Sequence, residues 1–128
     1  MSEQVQSKQM RVAFFPFDGT PELRQIGHGL EAMQALVEGL ICPFPTRVPG
    51  VIGFCNDESI EIWDLNLFSV LVGTPVCGPF FLCREVMTRD GWEHESLTDE
   101  DLISLEFDEI LELQQPATPI ITEADFQN

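Results

Sequence analysis

Cationic side chains are scarce in this sequence. Six Lys and Arg, with Lys8 the single lysine, stand against 22 Asp and Glu, for a formal net charge of −16. That shortage argues against unaided binding to nucleic acid or anionic lipid, since both rest on cationic groups that displace counterions or meet negative headgroups. Long apolar runs are missing too. The most hydrophobic stretch, Leu65 to Cys77, is broken by Asn66, Ser69, Gly73, Thr74 and Pro75, far short of the ~20 apolar residues a spanning helix needs. The opening residues, MSEQVQSK, lack the basic start and apolar run of a secretory signal, so a cytoplasmic location and no membrane partner are expected.

Motifs that announce chemistry are also lacking. The four cysteines, Cys42, Cys55, Cys77 and Cys83, contain no CxxC pair and match no zinc-ribbon spacing, so they read as buried thiols rather than metal ligands. The glycines fit neither GxGxxG nor GxxxxGK[ST], and the acids lack the EF-hand order with its central glycine. His28 and His94 have no nucleophile signature around them. No cofactor, no metal and no catalytic residue is therefore expected, and the protein reads as a non-enzyme.

What is present is enough apolar material to fold. The 128 residues are 44% hydrophobic with a mean hydropathy of +0.04, which suits one domain with one core rather than a disordered chain. Met10 to Phe15 reads as a first strand, ended by Pro16 and Asp18-Gly19. Thr20 to Gly29 reads as a loop or an irregular first turn. Leu30 to Ile41 places apolar residues at spacings of three and four and predicts the main helix, stopped by Pro43 and Pro45. Thr46 to Phe54 is expected to be extended, with Pro49-Gly50 a turn or bulge. Cys55 to Ser59 then supplies a reversal into a strand at Ile60 to Trp63, the expected hairpin. Leu65 to Val72 suits a strand or a short buried helix. Gly73 to Met87 carries a near-continuous β-prone run expected of a central strand, closed by a turn at Arg89-Asp90-Gly91. Thr98, followed by Asp99, Glu100 and Asp101, predicts a helix start, because its hydroxyl can accept from a free N–H and the acids suit the positive end of the dipole. That helix is expected to run to about Phe107.

The charge is unevenly spread. Residues 1–84 hold 9 acids and 5 bases, a net of −4, whereas residues 85–128 hold 13 acids and only Arg89, a net of −12. Such asymmetry suggests an interaction face, against the plainer reading of a solvated surface that maintains solubility. Glu93, Glu95, Asp99, Glu100, Asp101, Asp108 and Glu109 are the candidate acids. Trp92, in polar surroundings, and Phe107 are candidate apolar anchors, since binding hot spots are rich in Trp. Trp63 reads as packing.

The segments LEAMQALVEGLI (Leu30 to Ile41), VIGFCNDES (Val51 to Ser59), WDLN (Trp63 to Asn66), VGTPVCGPFFLCRE (Val72 to Glu85) and SLTDEDL (Ser96 to Leu102) resemble, in order, the DUF3846 family of small phage- and plasmid-associated proteins. The resemblance spans most of Met10 to Leu105 and implies a mobile-element setting in a bacterial or archaeal host, with no catalytic activity attached. Its polar candidates for a shared site are Gln34, Asn56, Glu58, Asn66 and Gly78, of which Asn56, Asn66 and Gly78 would line a ligand cleft. Turn and backbone-satisfying roles are the competing reading for them.

The combined expectation is a single α+β domain over residues 10–113: a small, mostly antiparallel sheet with one main helix packed on it and a short acidic C-terminal helix. Residues 1–9 are expected to be disordered and residues 114–128 to form an acidic, polar tail. The expected function is binding, and inhibition, of a host protein with a basic surface through an acidic, nucleic-acid-mimicking face. The alternative is a small-molecule or nucleotide-sequestering module. A homodimer is compatible with either.

Overall fold

The structure is a computed structural model and describes residues 9–113; the expectations for residues 1–8 and 114–128 lie outside it. In chain order the elements are β1 (Gln9–Phe15), β2 (Glu22–Gly27), α1 (Leu30–Val37), β3 (Ile41–Pro45), β4 (Val51–Asn56), α2 (Ser59–Ile62), β5 (Leu65–Asn66), α3 (Leu67–Val72), β6 (Val76–Cys77), β7 (Phe80–Thr88), β8 (Gly91–Glu95), α4 (Asp99–Leu105) and α5 (Phe107–Leu113). This is an α+β domain. Its six-stranded sheet is ordered β2-β1-β7-β4-β3, with β8 also paired to β7, and every pairing is antiparallel.

β7 is the axis of the sheet. Phe80 to Leu82 pair with β1, Phe80 to Arg84 pair with β4, and Arg84 to Thr88 continue into the hairpin with β8. Its side chains alternate between two cores, as the period of a strand requires. Phe80 and Leu82 join Ala13, Phe15, Phe44 and Val51 in a core capped by Phe68, Leu105, Phe107 and Ile110 of α3, α4 and α5. Phe81 and Cys83 join Val12, Phe14 and Phe54 in a second core under Met33, Leu36 and Val37 of α1. Helices therefore cover both faces of the sheet, not one. On the first face Phe15 stacks on Phe80 at 4.5 Å between ring centroids and meets Phe107 edge-on at 6.1 Å, contacts worth about 0.5–1.5 kcal/mol each beyond area burial.

Several local expectations are corrected. Thr20 to Gly29 is not a loop, because Glu22–Gly27 pairs with Gln9 to Phe14 of β1 as an edge strand. Only Ile26 of that strand is buried, so no apolar alternation marks it. The main helix is shorter than predicted: α1 ends at Val37, Glu38 turns left-handed at φ 64°, and Ile41 starts β3. The hairpin is β3–β4, one segment earlier than expected, with Pro49-Gly50 between its strands. Pro43 and Pro45 sit in β3, an edge strand, where a missing N–H is tolerated. Ile60 to Trp63 is no strand; α2 takes Ser59–Ile62, and Ile60 and Ile62 both face solvent. Glu93 to Glu95 belongs to β8, opposite Arg84 to Val86 of β7. The C-terminal helix is broken at Glu106, left-handed at φ 59°, into α4 and α5.

Candidate protein-docking site

Within the acidic part of the sequence, α4 and α5 (Asp99–Leu113) fold onto the first core. Thr98 caps α4, its hydroxyl accepting from the Asp101 N–H at 3.0 Å while the Asp101 carboxylate accepts from the Thr98 N–H at 2.9 Å, a reciprocal capping box. Asp101 is buried and also receives Arg84 through both oxygens, from Nε at 2.9 Å and Nη2 at 2.5 Å. Burial alone would raise its pKa; the Arg84 bond and the two Thr98 bonds outweigh that and hold it below the ordinary carboxylate range. Asp101 is thus removed from the candidate acidic face, because its oxygens are spent on the fold. Arg47 secures the neighbouring helix ends: its guanidinium donates to the carbonyls of Leu71, Ser104 and Leu105, the C-terminal carbonyls of α3 and α4 that a helix leaves unpaired.

With α4 and α5 fixed this way, a groove of about 620 Å³ opens between them and the start of β2. Pro21, Leu23, Leu102, Ile103, Phe107 and Leu111 give it apolar walls, and Glu22, Asp99, Asp108 and Glu109 rim it. Ile103 is 75% exposed and Leu23 41%. Phe107 lines the groove while its side chain is buried in the core, so it shapes the floor and is not the protruding anchor the sequence suggested. Asp99 is engaged by Arg11 at 3.1 Å and Glu22 by Arg24. Among the described residues Asp108, Glu109 and Glu112 form no ion pair.

The structure therefore joins Asp99, Asp108 and Glu109 at one rim, and places the other sequence candidates elsewhere. Glu100 is an exposed residue of the first turn of α4. Glu93, Glu95 and Trp92 lie on β8, where Trp92 is 60% exposed and stands opposite Met87; none of the three lines the groove. Glu22 and Leu23 were missed by sequence, for want of any signal that β2 would lie beside α4 and α5.

The polar residues proposed for a ligand cleft are occupied by backbone. Asn56 donates to the carbonyls of Val37 and Glu38 and accepts from the Glu58 N–H, closing the end of α1 onto β4. Asn66 donates to Phe15 and Gly78 and accepts from the Phe68 N–H, tying α3 to β1. Gly78, at φ 76°, lies against the Trp63 indole, whose ring stands 2.6 Å from where a Cβ on Gly78 would be. Asn56 does border a separate cleft of about 680 Å³, shared with Cys42, Cys55 and Cys77, whereas Asn66 and Gly78 do not reach it. Gln34 is half-buried on α1, and Glu58 precedes α2. The cysteines are free thiols: Cys55 and Cys83 are buried, Cys42 and Cys77 half-exposed. Among the described residues no three His, Cys, Asp or Glu side chains gather so as to hold a metal ion, and no helix is long and apolar enough to cross a membrane.

Fold and groove together define a small α+β domain organised on a six-stranded antiparallel sheet. The chain belongs to the DUF3846 family, described as a domain of unknown function, whose model matches residues 10–111. No curated protein and no solved structure gives a significant match.

Proposed function

We propose that this chain is a non-enzymatic accessory protein of a phage or plasmid, acting in the cytoplasm of its host by docking a cationic, apolar segment of a host protein. The observation that carries this reading is the groove between β2 and α4–α5, in which the apolar walls of Leu23, Leu102 and Ile103 stand within a rim of four carboxylates. Apolar walls supply dry contact area, and the rim selects basic partners and speeds their encounter. The net charge of −16 adds long-range steering of the same sign. Segments that combine basic and apolar residues are common where proteins meet nucleic acid, so occupancy of this groove would block such a surface and inhibit its owner.

The test is fluorescence anisotropy of a labelled synthetic helix of Lys and Leu, titrated with the full chain at low and high salt. Binding is expected to weaken as salt rises. Replacing Asp108 and Glu109 by Asn and Gln should weaken it by roughly fivefold at low salt, since two exposed rim charges are worth about 0.5 kcal/mol each. Binding insensitive to both salt and these substitutions would sink the proposal.

A further inference from the structure

The sheet brings two of the four free thiols face to face. Cys42 of β3 stands directly opposite Cys55 of β4 in the antiparallel register. Both side chains lie on the side of the first core, where Cys55 is buried and Cys42 packs at the margin, half-exposed. The Cys55 thiol donates to the Cys42 carbonyl oxygen at 3.7 Å. After burial itself, the neighbouring Cys42 does most to raise the Cys55 thiol, while a hydrogen bond with Ser59 acts the other way. Neither remaining cysteine has such a partner. Cys77 stands opposite Leu65, and Cys83 lies in the second core, on the other face of the sheet. Cys42 and Cys55 both border the cleft of about 680 Å³, through which a small solute reaches Cys42.

Opposed residues of an antiparallel pair have Cα atoms about 4.5 or 5.5 Å apart, inside the range of about 4.4–6.8 Å that a disulfide spans. Their Cβ atoms stand about 4.5–5.5 Å apart and must close to about 3.5–4.5 Å. β3 can yield that distance, because it is an edge strand held in the sheet by β4 alone. Among the described residues no group of three His, Cys, Asp or Glu forms around the pair, so it is short of the ligands a zinc site takes. We infer that Cys42 and Cys55 form a peroxide-oxidisable dithiol, in which Cys42 reacts first and Cys55 resolves it. In the first step the Cys42 sulfur attacks a peroxide oxygen. The S–O bond forms, the O–O bond breaks, and the thiol proton leaves with the second oxygen as water. In the second step the Cys55 sulfur attacks the Cys42 sulfenic acid. The S–S bond forms, the S–O bond breaks, and the Cys55 proton leaves with the hydroxide as water. The peroxide is reduced, both thiols are oxidised, and β3 is stapled to β4 along one wall of the cleft. Access sets the order, since oxidants meet the half-exposed thiol before the buried one.

The experiment treats the reduced full chain with a slight excess of hydrogen peroxide, stops the reaction with catalase, and denatures the product in N-ethylmaleimide. Mass spectrometry then reads the intact chain and its unreduced peptides. The expected product has lost its two thiol hydrogens, carries maleimide only on Cys77 and Cys83, and yields peptides joined through Cys42 and Cys55. Dithiothreitol should reverse it. In concentrated urea the same treatment should scatter links among the four cysteines, because the register that selects the pair is gone. In Cys55→Ala the reaction should stop at a Cys42 sulfenic acid, trapped by dimedone. Should that core variant fail to fold, Cys42→Ser, at a half-exposed position, should leave Cys55 unlinked and unoxidised. The inference is overturned if both thiols survive in the wild-type chain, or if Cys42 passes to sulfinic acid beside a free Cys55. Links from Cys42 to Cys77 or to another chain, or native links no more selective than those in urea, would overturn it equally.

Discussion

Removing the Asp101 carboxylate is the sharpest test of how α4 is held. In Asp101→Ala three things go at once: the two-point contact with Arg84, the acceptor for the Thr98 N–H, and the charge in the first turn of α4. Breaking a fully buried ion pair by deleting one partner costs about 3–5 kcal/mol. Asp101 is buried, but the Arg84 side chain is 30% exposed and can rehydrate, which brings the figure to roughly 2–3 kcal/mol. Losing the reciprocal half of the capping box adds about 0.5–1 kcal/mol. The sum, about 3 kcal/mol, corresponds to a fall in melting temperature on the order of 12 °C or more for a domain of this size. Asp101→Asn, which retains an acceptor, should cost about half as much. The pH dependence has a definite sign. The folded pKa of Asp101 is depressed, so its contribution is complete above the unfolded carboxylate pKa of about 3.9 and is lost as pH falls through the lower folded value. Urea unfolding of wild type and Asp101→Asn from neutral to acid pH measures this directly. A constant gap above about pH 5 that closes in acid is expected. A loss below about 1 kcal/mol for Asp101→Ala, or a gap unchanged by acid, would refute the assignment of this carboxylate to the fold.

Two further outcomes follow from the packing. Gly53 stands opposite Phe44 in the β3–β4 pair, and a Cβ there would lie 2.2 Å from the Phe44 ring; Gly53→Ala should destabilise the protein by about 2–3 kcal/mol in urea unfolding, because the ring must leave its site in the core. Burial, with the charge of Glu85 adding to it, pushes the Cys83 thiol up to about 12, and burial followed by the neighbouring Cys42 raises Cys55. Alkylation of the native protein at about pH 8, read by mass spectrometry, should modify Cys42 and Cys77 and spare Cys55 and Cys83 until the chain unfolds.

The elements that sequence revealed are those whose signal is local. Phe80 to Val86 carries its apolar residues on both faces because β7 is covered on both, and Thr98 announces α4 because its cap involves only the next three residues. β2 was hidden because an edge strand needs only Ile26 to be apolar. Ile60 and Ile62 misled in the other direction: alternation reports burial of one strand face, and both residues are exposed on a helical turn. For the site, Asp108 and Glu109 were legible as acids but not as neighbours of Glu22 and Leu23, which only the pairing of β2 with β1 brings alongside. Asp101 looked like one more surface charge because its partner, Arg84, lies 17 residues earlier on another element. Asn56 and Asn66 stood out in sequence only as polar residues; their hydrogen bonds pair them with backbone at the end of α1 and the start of α3.

The most direct measurement of the docking proposal is a titration of isotopically labelled full-length protein with the Lys and Leu helix, followed amide by amide by nuclear magnetic resonance. Shifts centred on Leu23, Leu102, Ile103, Asp108 and Glu109, reversed by salt, are the predicted result. Shifts centred instead on the cleft bordered by Cys42, Asn56 and Cys77, or no localised shifts at all, would contradict it.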